Sequence, residues 1–252
     1  MPLFSPLKSL VKRCLGQSLT YKLRYLINKD KNQLYDSFTF MIMDRALKPG
    51  RINVDVGCHE GAVLDEMIAR QPDGEFYAFE PLPHLFEHLQ RKYQGVASVR
   101  LHNIALSDAK GESQFNHVVT NPGYSGFIKR RYDRPAEEDE LITVNTDLLD
   151  AVLPEQAPVG FIKTDVEGAE LQVLKGAANH IKRDKPVIVF EHGFGAADVY
   201  GTQPEDIYHL LCDEYGLSIS LMEDWLAQKA PLSLEEFKHQ FHAGLNYYFV
   251  AA

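Results

Sequence analysis

The sequence has few features of a secreted, membrane-spanning or nucleic-acid-binding protein. Among its 252 residues are only three cysteines, Cys14, Cys58 and Cys212, which are far apart and form no CxxC pair. Neither a disulfide framework nor a zinc site is therefore expected. No apolar run approaches the roughly 18 residues of a membrane span, and Lys8 and Lys12 interrupt any signal-peptide core. The net charge of -9 disfavours general binding to polyanions. We expect a cytoplasmic protein that acts on a small molecule and binds no nucleic acid.

Positive charge is concentrated at the N-terminus. Residues 1–31 carry a net charge of +6, which leaves -15 for the remaining residues. Apolar side chains at positions 3, 4, 7, 10, 11 and 15 could form one face of a short helix. This arm either contacts an anionic membrane at its inner, cytoplasmic face or is a helix packed on the domain with a solvated basic face. We assign residues 1–48 to an N-terminal helical basic extension and residues 49–252 to the main domain.

From residue 51 onward, short β-rich runs alternate with helical patterns. Strands are predicted at 51–56, 75–80, 97–102, 159–164, 186–191, 217–221 and 245–250. Helices are predicted after Gly61, from Pro83 to Tyr93, from Gly168 to about Lys182 and from Pro204 to Tyr215. This alternation is typical of βαβ units around a mostly parallel sheet. The fold class is therefore α/β, doubly wound.

The stretch from Gly111 to Thr146 interrupts this alternation. It contains two strand patterns, Ser113–Val119 and Leu141–Asn145, separated by a loop rich in Gly, Pro and Asn and by an acidic patch. We predict a hairpin-like insertion. Long insertions of this kind are commonly lids or binding loops, and a disordered surface loop is the alternative.

A glycine loop follows the first predicted strand. In Asp55-Val56-Gly57-Cys58-His59-Glu60-Gly61, an apolar strand runs into two glycines four residues apart and then into a helix. Glycine lets the backbone approach a ligand closely, and amides at the start of a helix favour a phosphate or carboxylate. The second predicted strand ends in Glu80, where an acid can accept hydrogen bonds from both hydroxyls of a ribose. The loop lacks the GxGxxG pattern, which disfavours NAD or FAD.

Together with Asp165-Val166-Glu167-Gly168-Ala169-Glu170 and the following Val173-Leu174-Lys175-Gly176-Ala177, these segments resemble the FkbM family of S-adenosylmethionine (SAM)-dependent methyltransferases. The resemblance covers roughly residues 50–193, with the DxGxxxG loop, the Phe-Glu-Pro strand end and the Asp-Val-Glu-Gly-Ala-Glu block in the family's order. It implies a Rossmann-like class I methyltransferase domain with a seven-stranded, mostly parallel sheet, whose last strand is antiparallel. It also implies SAM as the methyl donor and an oxygen acceptor.

The resemblance assigns cofactor contacts residue by residue. The positions assigned to the methionine end are Asp55, Gly57 and Gly61, with Cys58 and His59 at two positions where the family often has Ala and Asn. Glu80, next to Pro81, would hold the ribose, and Ala105 with Asn103 would flank the adenine. In the insertion, Tyr124 and Ser125 are candidates for contact with SAM or the acceptor. Asp165, at the end of the fourth predicted parallel strand, is assigned to both cofactor binding and catalysis.

Transfer to a hydroxyl requires alignment of donor and acceptor and removal of a proton. Asp165 and Glu191-His192 end neighbouring predicted strands, so their side chains can converge at the carboxyl edge of the sheet. Two mechanisms fit. Asp165 and Glu191, completed by His192 or Glu167, could bind Mg²⁺ or another divalent cation. Alternatively, His192 or a carboxylate of raised pKa removes the proton directly.

Other interpretations remain open at this point. Glu167 and Glu170 could serve only to stabilise the start of a helix, and Lys163 suggests a structural ion pair on an apolar strand. The resemblance implies that the acceptor is a sugar or another polyhydroxylated molecule, such as a bacterial surface glycan, with a secondary-metabolite hydroxyl as the alternative. An NAD-dependent reductase would share the strand and the glycine loop, but this sequence lacks the motifs of such an enzyme. A non-catalytic nucleotide-binding or interaction module on the same fold is the hypothesis from another class.

Overall fold

The computed structural model describes residues 30–132 and 136–252. The basic arm of residues 1–29, for which a helix was predicted, lies outside the described residues. Within the described ranges, no helix combines the length and apolarity needed to cross a membrane.

The elements alternate as the sequence predicts. The helices are α1 (Lys31–Ala46), α2 (Ala62–Arg70), α3 (Pro83–Lys92), α4 (Leu149–Val152), α5 (Glu170–Gly176), α6 (Ala178–Asp184), α7 (Pro204–Tyr208), α8 (Met222–Leu226) and α9 (Leu234–His242). The strands are β1 (Ile52–Val56), β2 (Glu75–Phe79), β3 (Val99–His102), β4 (Ala105–Leu106), β5 (Gly111–Val118), β6 (Asp139–Asp147), β7 (Val159–Thr164), β8 (Val187–Glu191), β9 (Ile219–Leu221) and β10 (Tyr248–Ala251). A π-helical stretch, His209–Glu214, continues α7.

Seven strands form the central sheet in the order β3-β2-β1-β7-β8-β10-β9. β10 runs antiparallel to both of its neighbours, and the pairs from β3 to β8 are parallel. The order reverses between β1 and β7, so the carboxyl ends of these strands border a crevice at this switch point. The predicted doubly wound fold with an antiparallel last strand is confirmed.

Helices cover both faces of this sheet because alternate strand residues point to opposite sides. In β2, Phe76 and Ala78 join a core with α1, α2 and α3, while Tyr77 and Phe79 join a core with α5, α6 and α7. Strands buried on both faces read as continuous apolar runs, which explains why β1, β7 and β8 are visible in the sequence.

The insertion forms its own three-stranded sheet in the order β4-β6-β5. β5 and β6 pair antiparallel from Gly111↔Thr146 to Val118↔Asp139, so the predicted hairpin is present. The loop between them folds back on β5, where Gly126 and Asn116 form an isolated antiparallel β-bridge. It also contacts the segment after β8, because the Tyr200 hydroxyl accepts a hydrogen bond from the Ile128 amide at 3.2 Å.

Several predicted elements differ in their bounds, and two of the differences have a clear physical reason. The helix predicted from Gly168 to about Lys182 is divided into α5 and α6 at Ala177. A Cβ on the preceding Gly176 would lie 2.1 Å from the Ser107 carbonyl oxygen, so the chain passes β4 closely at this point. The last strand begins at Tyr248 and not at residue 245, because Asn246 and Tyr247 turn to contact Tyr35 of α1.

Candidate active site

The loop after β1 depends on a glycine at a close crossing. Gly57 has φ +72°, and a Cβ there would lie 2.0 Å from the carbonyl oxygen of Asp165. The ends of β1 and β7 thus lie so close together that no side chain fits at position 57. His59, two residues on, also has a positive φ of 50°, which is uncommon for a non-glycine residue. This conformation turns the His59 amide toward the end of β2.

Glu80 accepts a hydrogen bond from that amide. Its Oε2 accepts a hydrogen bond from the His59 amide and its Oε1 accepts one from the Leu82 amide, both at 2.9 Å. The side chain is 5% exposed, and this burial raises the pKa of Glu80 to about 7, although the two amides oppose the shift. Each carboxylate oxygen retains a lone pair. The carboxylate is therefore fixed in place and can accept two further hydrogen bonds from a diol.

A cavity of about 380 Å³ lies over these loops, and we call it the cofactor cavity. Its walls include apolar side chains from the ends of β2 to β5 and from the insertion, among them Leu82, Ile104, Phe115 and Phe127. The cofactor residues predicted from the sequence that line it are Gly57, Cys58, His59, Glu80, Pro81, Ala105, Ser125 and Asp165. The cavity thus combines an apolar wall with a buried acceptor of hydrogen bonds.

Three predicted cofactor residues do not line this cavity. Asp55 is completely buried behind the loop, 3.6 Å from the Lys163 ammonium. Asn103 uses its amide to donate to the carbonyl oxygens of Glu80 and Pro81, so it shapes the cavity without facing it. Gly61, with φ +80°, packs against Tyr93, where a Cβ would meet the hydroxyl at 2.4 Å.

A second cavity of about 580 Å³ adjoins the first, and we call it the acceptor cavity. Asp165 and Glu167 line both cavities, so these two side chains stand at their junction. Glu191 lines only the acceptor cavity. The other residues of its wall come from α1, the insertion loop, the segment after β8 and the start of β10 with the residues before it, and include Tyr35, Asp36, Tyr124, Arg130, Phe194, Asn246 and Tyr248.

Asp165, Glu167 and Glu191 form a compact carboxylate cluster, with one oxygen from each within 4.8 Å of the others. Glu191 and Asp165 lie close enough to form a hydrogen bond when Glu191 carries a proton. Burial, reinforced by Asp165 and Glu167, raises the pKa of Glu191 well above its ordinary value. Burial, with Asp165, likewise raises the pKa of Glu167 to about 8. Glu167 has φ +58°, a strained conformation of the kind found at functional sites.

Three donors hold this cluster. The Lys163 ammonium lies 3.5 Å from Asp165 and donates to the Gly57 carbonyl oxygen at 3.0 Å. The Tyr248 hydroxyl donates to Asp165 at 2.6 Å. Burial favours the neutral form of Asp165, but Lys163 and Tyr248 outweigh it and keep the pKa of Asp165 below its ordinary value. Arg130, from the insertion, is paired with Glu167 at 2.6 Å and lies over the Tyr124 ring.

His192 is not part of this cluster, which corrects the prediction that it joins Asp165 and Glu191. Consecutive strand residues point to opposite faces, so with Glu191 in the crevice the His192 ring lies on the other side of the sheet. The ring is 1% exposed and stacks on Phe237 and Phe241, and burial lowers its pKa to about 4. Glu167 occupies the third position in its place.

Glu170 has a local partner. Its Oε1 accepts hydrogen bonds from the amides of Val166 at 2.9 Å and Gly168 at 3.4 Å, so it closes the turn that carries Glu167. The helix-start interpretation therefore has direct support for Glu170. Glu167, three residues earlier in the loop, faces the cavities instead.

Sequence reasoning missed Arg130, Tyr248 and the side chains of α1 that line the acceptor cavity. A signal for Tyr248 was available: an antiparallel last strand begins where its neighbour ends, and Tyr248 pairs in register with Glu191. Arg130 had no comparable signal, because it lies in an irregular loop whose path the sequence does not specify.

The strand order, the reversed last strand and a cavity at the switch point together define the class I methyltransferase fold. Residues 55–218 match the family described as the methyltransferase FkbM domain, and the chain belongs to this family. The crystal structure of a methyltransferase FkbM from Methylobacillus flagellatus KT aligns with 99% of this chain and 59% of its own, with 15% identity and a TM-score of 0.52. That likeness supports the fold.

Two curated relatives are similar in sequence. The 2-O-methyltransferase NoeI of Sinorhizobium fredii (strain NBRC 101917 / NGR234) is 26% identical over 151 residues, which cover 55% of this chain and 62% of that protein. The methyltransferase sdnD of Sordaria araneosa is 29% identical over 184 residues, or 60% of this chain and 71% of that protein. The match with NoeI thus spans less than two thirds of that relative.

Proposed function

We propose that this protein is a SAM-dependent O-methyltransferase that acts on a hydroxyl of a sugar or another small polyhydroxylated molecule. The observation that carries the proposal is the junction of two cavities at Asp165 and Glu167, one with the features of a nucleoside site and the other lined by carboxylates. Membership of a methyltransferase family gives it independent support, as does the 2-O-methyltransferase among the relatives.

The cofactor cavity suits SAM. Glu80 offers a buried carboxylate for the ribose hydroxyls, and the apolar wall formed by Leu82, Ile104 and Ala105 suits an adenine ring. The polar end, with Gly57 and Asp165, would receive the methionine part. When bound, SAM supplies an electrophilic methyl group on a sulfonium.

Glu191 is the base in this proposal. It lines the acceptor cavity, and because its pKa is raised, its ionised form is a strong base that can take the proton of an acceptor hydroxyl as the oxygen attacks. The proton gained by Glu191 is then held in its hydrogen bond to Asp165. Lys163 and Tyr248 keep Asp165 ionised, so that it acts as the acceptor of this bond. Glu167 would accept a hydrogen bond from a neighbouring hydroxyl and so orient a vicinal diol.

Mg²⁺ is the alternative means of balancing the same charges. Three carboxylates this close repel one another, and either a shared proton or a divalent cation relieves the repulsion. Oxygen ligands suit Mg²⁺, and Asp165, Glu167 and Glu191 would hold it where it could lower the pKa of a hydroxyl. Lys163 and Arg130 already compensate part of the negative charge, which favours the mechanism without a metal.

The test begins with the cofactor. Isothermal titration with SAM and, separately, with NADH should show binding of SAM alone, and Glu80→Ala should weaken it about 10- to 100-fold, as expected for lost bonds to a charged group. Glu87→Ala, an exposed glutamate on α3, is the matched control. Heat from Mg²⁺ that disappears in Asp165→Asn would favour the metal mechanism.

The acceptor is then sought by transfer of a labelled methyl group to methyl glycosides and to polyhydroxylated secondary metabolites. Transfer that is lost in Glu191→Gln, with SAM binding retained, would support the assigned base. Absence of SAM binding would contradict the proposal and favour a non-catalytic interaction module on the same fold.

A further inference from the structure

The mouth of the acceptor cavity carries apolar side chains in open solvent. Phe194, in the Gly193-Phe194-Gly195 loop after β8, lines the cavity and is 74% exposed. Leu245 is 43% exposed, and both of its neighbours in the chain line the cavity. Among the residues that the structure describes, Phe194 is the most exposed large apolar side chain. Exposed aromatic and aliphatic residues beside a binding site commonly mark an interaction surface.

The basic N-terminal arm is attached at this same mouth. The described chain begins at Asp30, which caps the start of α1, and Asn32, Tyr35 and Asp36 of α1 line the acceptor cavity. Lys31 donates a hydrogen bond from its ammonium to the Leu245 carbonyl oxygen at 2.6 Å. We call Lys31, Phe194 and Leu245 the rim. Chain continuity therefore brings the end of residues 1–29, a segment with six basic side chains in its sequence, next to the rim.

Charge separation gives the molecule a preferred orientation. Residues 1–31 carry +6, whereas the rest of the chain carries -15. A negatively charged surface attracts the arm and repels the remaining residues, so the rim turns toward that surface. Basic residues next to exposed aromatic and aliphatic side chains are the chemistry by which proteins bind an anionic lipid surface.

We infer that the rim contacts the surface of an anionic bilayer, with Phe194 and Leu245 inserted between headgroups and residues 1–29 supplying the charge. The inference rests on the proposed function and narrows its substrate class, because an acceptor cavity that opens onto a bilayer receives a hydroxylated acceptor anchored by a lipid. The carboxylates inside the cavity then bind the hydroxylated part of the acceptor, while the rim remains in contact with the lipid.

The test measures sedimentation of the full chain with vesicles of phosphatidylglycerol and phosphatidylcholine, and with vesicles of phosphatidylcholine alone. The wild-type protein should bind only the anionic vesicles, and binding should weaken as salt is added. Phe194→Ser and Leu245→Ser should each lower the partition coefficient about tenfold, as expected for loss of a buried apolar side chain. Reversal of charge at Lys8, Lys12 and Arg13 to Glu should abolish binding.

Leu141→Ser is the matched control, because Leu141 is 68% exposed on β6 and lines neither cavity. It should bind vesicles as the wild type does. Equal binding by Phe194→Ser, Leu245→Ser and Leu141→Ser would overturn the inference, as would a wild-type protein that ignores anionic vesicles. SAM titration of the same preparations keeps the two proposals apart: vesicle binding without SAM binding refutes the methyltransferase proposal and with it the lipid-anchored acceptor, and leaves the membrane contact of the rim standing.

Discussion

At the scale of single residues, the site is a set of buried charges that depend on one another. Lys163 is 7% exposed and lies between Asp55 at 3.6 Å and Asp165 at 3.5 Å. Burial disfavours its charged form, but the two aspartates raise the pKa of Lys163 above its ordinary value. A buried pair of this kind contributes little net stability. Its value is that it fixes Asp165 at the junction of the cavities as an ionised group.

If Glu80 binds the ribose as proposed, SAM binding depends on pH. The pKa of Glu80 is about 7 in the folded protein, against an ordinary value of 4.5. Between these pH values the folded protein holds a proton that the unfolded chain has released. The contribution of Glu80 to stability therefore falls as the pH rises from 4.5 to 7. Ribose hydroxyls require the ionised form. We expect the affinity for SAM to be about tenfold weaker at pH 6 than at pH 8, as measured by isothermal titration.

The control for this prediction is Glu80→Gln, which has no titrating group at this position. Titration of SAM itself affects both proteins equally, so only the difference between them reports Glu80. An equal pH dependence in the two proteins would contradict the prediction.

The sequence was most informative where a residue's position follows from strand order. Glu80, Asp165 and Glu191 each end a buried parallel strand, and the fold brings such ends to one edge. It was least informative where the direction of a side chain decides its role. His192 and Glu191 are adjacent in the sequence, yet one packs between Phe237 and Phe241 and the other lines a cavity.

At the scale of elements, the cofactor cavity depends on the contact between the ends of β1 and β7. Gly57→Ala would place a Cβ 2.0 Å from the Asp165 carbonyl oxygen at a residue with φ +72°. We expect a loss of about 3 kcal/mol or more in the free energy of unfolding, because the strand ends must separate. The same separation should weaken SAM binding. Urea denaturation measures the first effect and isothermal titration the second.

Gly95→Ala separates conformational strain from the close contact. Gly95 has φ +84°, but a Cβ at this position would have no atom within 4 Å, so the loss should be only about 1–2 kcal/mol, with SAM binding unchanged. Similar losses in the two variants would mean that strain alone explains the effect and that the crossing of β1 and β7 is unimportant.

The insertion and β10 show why the acceptor cavity was harder to predict than the cofactor cavity. The proposed cofactor residues follow their strands within a few positions, as Gly57 follows β1 and Glu80 follows β2. The acceptor wall instead combines α1, the insertion loop and the approach to β10, which are far apart in the chain: Tyr35, for example, hydrogen-bonds Asn246 at 2.9 Å. Contacts of this range depend on packing and leave no local pattern in the sequence.

At the scale of the whole molecule, a ligand that binds only the folded state stabilises every part of it. SAM at about a hundred times its Kd should add about 2.7 kcal/mol to the free energy of unfolding, which for a chain of this length raises Tm by about 5–10 °C. Because the cofactor cavity lies between β1, β2, β7 and the insertion, its occupation couples the main sheet to the hairpin.

NADH should leave Tm unchanged, and Glu80→Ala should reduce the shift by SAM at the same concentration. If chelation of divalent ions also leaves the shift intact, cofactor binding is independent of a metal at the carboxylate cluster. A rise in Tm with NADH and none with SAM would reverse the assignment of the cofactor cavity.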